Sequence, residues 1–460
     1  MPGTDRPPVT RLTPPRRLAA ALCLLLSMVG LRAALAQQAG PYLGVASCAG
    51  STCHGRSEGN GAEVRQDEIA TWQSPSSPTG AHSRAFAVLQ TLRARQITAS
   101  LGLKEATQEP ACLGCHATDA RAEARGPSFQ QSDGIGCESC HGPARAWVAS
   151  HYTTSGTHRA NVAAGLVPLD DAQVRARVCL DCHYGSARGN QFVTHRMMAA
   201  GHPRVSFELD LFSALQQHYD VDADYIRRKG RPDSVRVWAV GQAEALSRST
   251  SLFSRPGFAS EGIFPEFYFF DCHSCHRQIS DGPQRRLTFE SNPGRPIPFG
   301  QPPFNDENMV MLQAVTRALA PGQAAAFEAT SRGFHQAMGE GRTQAVAAAV
   351  KLRETAEALS DALAHRPYAG GDAFTVVAAI ADRTTSPRFT DYAGSAQAVM
   401  ALDTLLNSMV LGGRVTVGAA AGIRAHLNRA YEAVKSPDEY NPVRFRATLG
   451  EAATAIGSLQ

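Results

Sequence analysis

Cys137-Glu138-Ser139-Cys140-His141 is the stretch that decides the fold. It reads C-x-x-C-H, and three more stretches repeat the pattern: Cys112 with Cys115 and His116, Cys179 with Cys182 and His183, and Cys272 with Cys275 and His276. This spacing is the attachment signature of c-type haem. The two thiols add to the two vinyl groups of one porphyrin, and the adjacent imidazole reaches the iron from the proximal side. The vinyls sit on neighbouring pyrrole rings, so one short helical turn has to span them. Paired C-x-x-C units also build zinc sites, and exported chains also spend cysteines on disulfides. Neither alternative requires a histidine directly after every pair.

Working outward, Cys48 and Cys53 stand before His54 as C-x4-C-H, two residues longer than the other motifs. The longer loop still places both sulfurs if it bulges outward, which makes a fifth haem site; a structural disulfide beside a spare histidine is the alternative reading. The chain holds 11 cysteines. Five sites use ten, and the eleventh, Cys23, falls in the N-terminal segment.

That segment reads as a secretory signal. Arg16 and Arg17 form a basic flank, Leu18 to Leu31 an apolar run, and Ala34-Leu35-Ala36 a small-x-small cleavage site. The run is too short for a spanning helix. Residues 1–36 are therefore expected to be removed and the mature protein to be periplasmic. A formal net charge of +4 over 460 residues gives no basic surface that would point to nucleic acid.

Each haem iron needs a second axial ligand or an open face, and ligand identity is the protein's main control on potential. Of 15 histidines, His54, His116, His141, His183 and His276 are proximal. His82, His151, His158, His195, His202, His218 and His273 remain in the same region, enough for two imidazoles on every iron. Met197 and Met198 read as core, and His273, inside its own motif, as facing a neighbour or solvent.

Two longer stretches carry a resemblance. Asp133 to Pro143 contains Gly136-Cys137-Glu138-Ser139-Cys140-His141-Gly142-Pro143, and Ala70-Thr71-Trp72-Gln73-Ser74 runs on to Ala81-His82-Ser83-Arg84-Ala85-Phe86. In content and order they resemble the cytochrome c-554 family of multihaem electron carriers, over about residues 45 to 185. The resemblance implies distal ligation by His82 and by His151. His218 echoes a late distal ligand of the family, and His202, in Gly201-His202-Pro203-Arg204, resembles one of larger related cytochromes; His158 and His195 rank behind these four. The family's typical member carries four haems rather than five. One of its haems can stay five-coordinate, which by position would be the one at Cys112, Cys115 and His116.

The expected fold is mainly α. A multihaem domain of short helices and loops around stacked haems covers residues 37–300, and a helical bundle covers 305–460. The proline-rich stretch Asn292 to Pro303 reads as a linker. Apolar residues at three- and four-residue intervals predict helices over Gln323 to Met338, Thr343 to Ala364, Ser395 to Leu411 and Ala419 to Val434. Gly412-Gly413 and Pro367 to Gly371 break between them. The expected function is electron transfer between redox proteins through five covalent haems, with a membrane-associated quinol or cytochrome complex as one kind of partner and the bundle as a face for homodimerisation. The alternative is a multihaem oxidoreductase acting on a small nitrogen or sulfur oxyanion at one open-faced haem, with Arg196, Arg204 and Tyr184 as candidate proton-delivering groups; the plainer reading of these residues is as partners of haem propionates.

Overall fold

The computed structural model describes residues 40–58, 66–188, 191–256, 266–276, 295–298, 301–386 and 389–460, so the expected signal segment lies outside it. The fold is mainly α. Among the described residues β-structure is confined to two isolated bridges, Tyr42 with Arg125 and Phe270 with Phe304.

From residue 40 to about 230 the chain makes short helices joined by turns. Each C-x-x-C-H closes on a helical turn, as Pro110–His116, Cys137–His141 and the C-terminal end of α1, Ala172–His183. The fourth, Cys272–Ser274, is a single 3-10 turn capped by Asp271. Gly142 follows His141 at φ 82, a backbone region costly for any residue with a Cβ, so the chain turns away immediately after the imidazole. Glu138, between the two cysteines, is buried, and its carboxylate accepts from Leu43 N at 2.8 Å, Gly44 N at 2.8 Å and Ala144 N at 2.7 Å. One side chain thus ties the 137–141 turn to the approach of the Cys48 loop.

The remaining helices pack as a bundle: α2 Ser234–Phe253, α3 Glu307–Leu319, α4 Pro321–Glu340, α5 Arg342–His365, α6 Asp372–Thr384, α7 Tyr392–Leu411, α8 Val417–Ala433 and α9 Pro442–Gly457. Helix α2, capped by Asp233 accepting from Arg236 N, packs against α1, α3, α5 and α7. The four helices expected from periodicity are present as α4, α5, α7 and α8.

The boundary expected near residue 300 does not separate two cores. One apolar cluster runs from Ala176 and Leu180 on α1 through Trp238 on α2 to Ile456 on α9, because α2 is buried on almost every face and is central to the bundle. The expected linker is likewise anchored where it is described. Arg295 is buried, with Asp306 at 2.7 Å and Asp391 at 3.0 Å, and Pro298 closes against Gly339. Two buried carboxylates leave that guanidinium no freedom to act as a flexible tether.

Candidate functional site

Among the described residues the ten cysteines form no disulfide with one another. In the stretched first motif, Gly50, Ser51 and Thr52 are exposed while Cys48, Cys53 and His54 are half-buried. Hydrogen bonds from Cys53 N to Gly50 O and from His54 N to Cys48 O close the loop so that the surplus residues project outward.

The five proximal imidazoles are far apart in sequence from the rings that face them. His54 faces His151 with ring centres 6.1 Å apart, and His183 faces His82 at 6.1 Å. His116 faces His202 at 6.3 Å, His141 faces His218 at 6.4 Å, and His276 faces His195 at 6.3 Å. A metal–imidazole bond is about 2.0–2.1 Å long, so two imidazoles on opposite sides of one metal hold their centres roughly 6 Å apart. Five separate pairs at this one separation, each beside its own two thiols, fit an iron porphyrin between the rings. Zinc needs four converging donors. Among the described residues no three His, Cys, Asp or Glu side chains converge in that way.

The sequence singled out four of the facing histidines, His82, His151, His202 and His218, and the structure sets each of them against a proximal ring. The fifth, His195, had been ranked behind them. It caps no motif, but it lies seven residues before His202, so one short segment supplies two facing imidazoles. His158 takes no such position and lies 3.6 Å from Asp170. His273 faces neither solvent nor a neighbouring pair. It is buried, its Nδ1 is 2.8 Å from Pro437 O, and its ring meets Tyr440 edge-on, because the 434–440 loop of the bundle folds over this motif. The site marked as open-faced by position, at His116, is the one opposite His202.

Ring orientation is fixed from behind. The Nδ1 atoms of His116, His202 and His218 lie 2.9, 2.8 and 3.4 Å from the carbonyls of Ala85, Pro203 and Gln216. Nδ1 keeps its proton to donate, and Nε2 is left with the lone pair a metal needs. Burial lowers the pKa of His82, His151, His202 and His218 and pushes His141 and His183 down to about 4, so these imidazoles are neutral at neutral pH.

The sites touch one another in sequence-remote order. Cys48 of the first lies against Cys137 of the third, each shifting the other's thiol, and Glu68, which meets His54, lines one cleft with His218, which faces His141. Cys140 of the third senses Cys182 of the fourth. Cys115 of the second and Cys182 of the fourth lie side by side, and Gln191 bonds Gly114 O at 2.8 Å between them. The segment from His195 to His202 joins the fifth to the second.

Arg196, Arg204 and Tyr184 do not converge on an axial position. Arg196 donates to Leu101 O, Arg204 is held by Glu307 at 3.3 Å and Cys272 Sγ at 3.0 Å, and burial raises the Tyr184 hydroxyl well above its ordinary pKa.

Residues 47–142 match the family model described as cytochrome c554 and c-prime. No curated protein and no solved structure matches the chain.

Proposed function

From the premise that residues 47–142 make this chain a c-type cytochrome of the c554 family, which binds haem c covalently for electron transfer, we propose that it is a periplasmic carrier of five haems, each between two imidazoles. The observation that carries the reading is the set of five imidazole pairs at 6.1–6.4 Å. The ten cysteines Cys48, Cys53, Cys112, Cys115, Cys137, Cys140, Cys179, Cys182, Cys272 and Cys275 would hold the porphyrins. His54 with His151, His116 with His202, His141 with His218, His183 with His82 and His276 with His195 would hold the irons.

The group supplies one-electron chemistry when bound. The chain's part is to fix each imidazole pair, keep Nε2 unprotonated, and set the order of the sites. The thiol contacts and the His195–His202 segment give the order first, third, fourth, second, fifth. The terminal sites are accessible to partners: His54 is 39% exposed and His276 58%. Donor and acceptor redox proteins would dock at these two ends. Export is supported by the basic, apolar and small-residue succession of residues 16–36.

An enzyme acting on a small oxyanion needs one iron with a free face, and each proximal histidine here has a ring opposite it. The test is the protein secreted from a host competent in cytochrome maturation. Intact mass is expected to show five haems and electron paramagnetic resonance only low-spin ferric signals. A high-spin signal that responds to nitrite or hydroxylamine would replace the carrier with the oxidoreductase, and a colourless product would end both readings.

A further inference from the structure

The atoms behind the paired imidazoles differ in kind. His116, His202 and His218 meet backbone carbonyls, and Nδ1 of His183 is buried with no partner at all. Asp438 lies 3.9 Å from Nδ1 of His276, beyond hydrogen-bond distance, with both side chains exposed. Among the described residues, His54 is the one member of the five pairs whose Nδ1 has a carboxylate within hydrogen-bond distance: Glu68 Oε2, at 3.0 Å. The contact is built rather than incidental. Ile69 N donates to His54 O at 3.0 Å, so the helix Glu68–Trp72 grips the backbone and the ring of the same residue. Glu68 is itself only 19% exposed.

A carboxylate that accepts the Nδ1 proton makes Nε2 a stronger donor and stabilises the more highly charged metal. A ring with no acceptor is the weaker donor.

Resting on the five-haem reading, we propose that Glu68 is a tuning residue that makes the Cys48–Cys53–His54 site the lowest in reduction potential of the five, with the unassisted His183 site the highest. Electrons then enter at the first site and run downhill through the third to the fourth.

The test compares the wild-type holoprotein with Glu68→Gln and Glu68→Ala in a reductive titration followed by absorbance and electron paramagnetic resonance. The planes of His54 and His151 lie 17° apart, against 85° for His116 with His202 and for His141 with His218. Near-parallel rings split the two iron orbitals that overlap them, whereas crossed rings leave them almost degenerate. The first site should therefore give the most rhombic of the low-spin signals, which identifies its step. That step is expected to be the lowest in wild type and to move up in both variants, further in Ala than in Gln, with the other four unmoved and five haems retained. An unmoved step in fully loaded variants overturns the tuning role and leaves the carrier standing. Loss of one haem in both variants also overturns it, since Glu68 would then serve attachment. A wild-type protein without haem would remove both.

Discussion

The stretch from residue 40 to about 230 and the bundle from Ser234 onward are both helical, yet they are held together by different means. The bundle has a continuous apolar core in which Trp238, Val240, Leu312, Phe334, Leu352, Leu405 and Leu449 are all but inaccessible. The first stretch has one small independent apolar cluster, Leu89, Ala94 and Ala106, and otherwise relies on polar anchors such as Glu138 and on turns. A protein region of this size that buries so little of its own apolar surface lacks the usual driving force for folding. What separates the regions is where the interior comes from: the bundle brings its own, and on the proposed reading the four cysteine–histidine motifs of the first stretch take theirs from covalently bound haem.

The strongest way to break this comparison is to withhold the groups. In protein produced without haem attachment, the first stretch is expected to be rapidly cleaved in limited proteolysis, with a protected fragment from α2 to α9 retaining helical circular dichroism. Equal resistance of the two regions would show that the first stretch folds unaided.

A smaller but sharp effect lies on the bundle side. Replacing Arg295 by Ala leaves Asp391 buried without its cation and Asp306 with only His335, at 3.0 Å, and loss of one partner from such a cluster costs about 3–5 kcal/mol. Chemical denaturation should show that loss in the bundle transition while haem content stays unchanged.

The counterpart on the other side is Glu138→Ala. It strips three backbone N–H groups of their acceptor, at about 1–3 kcal/mol for each group left buried and unpaired. The first and third sites should become less stable together, read as joint loss of their two low-spin signals at moderate denaturant. The smallest effect on stability belongs to His195→Ala, which removes one surface-proximal ring. It should convert a single iron, that of the fifth site, from low-spin to high-spin, visible in the resonance spectrum with little change in melting.

What could be read in the sequence follows how local each feature is. The C-x-x-C-H turns are complete within five residues and the stretched first motif within seven, so the five histidines that follow the cysteine pairs could be picked out from the sequence. The facing histidines are not: which ring opposes which depends on bringing His82 to His183 or His151 to His54 across most of the region. His195 was ranked low because it has neither a motif nor a family echo, and its one signal was its place just upstream of His202. In the bundle, α4, α5, α7 and α8 gave a recognisable period. Helix α3 did not, since residues from Glu307 to Thr316 are buried on every side and show no polar face. Helix α6, with Ala373, Phe374, Val376, Val377 and Ile380 buried, and α9, with Phe445, Leu449, Ala452 and Ile456 buried, carry a three- and four-residue period that was present in the sequence and was not read.

The segment between His195 and His202 has a consequence for assembly. Neither the second nor the fifth site has its full set of ring donors until this short stretch has docked, and Arg93 pins its far end through Gly201 O at 2.7 Å. On the five-haem reading, docking is therefore a single checkpoint for two metal centres at once. A maturing chain would pass from one-sided to two-sided coordination at both in the same event.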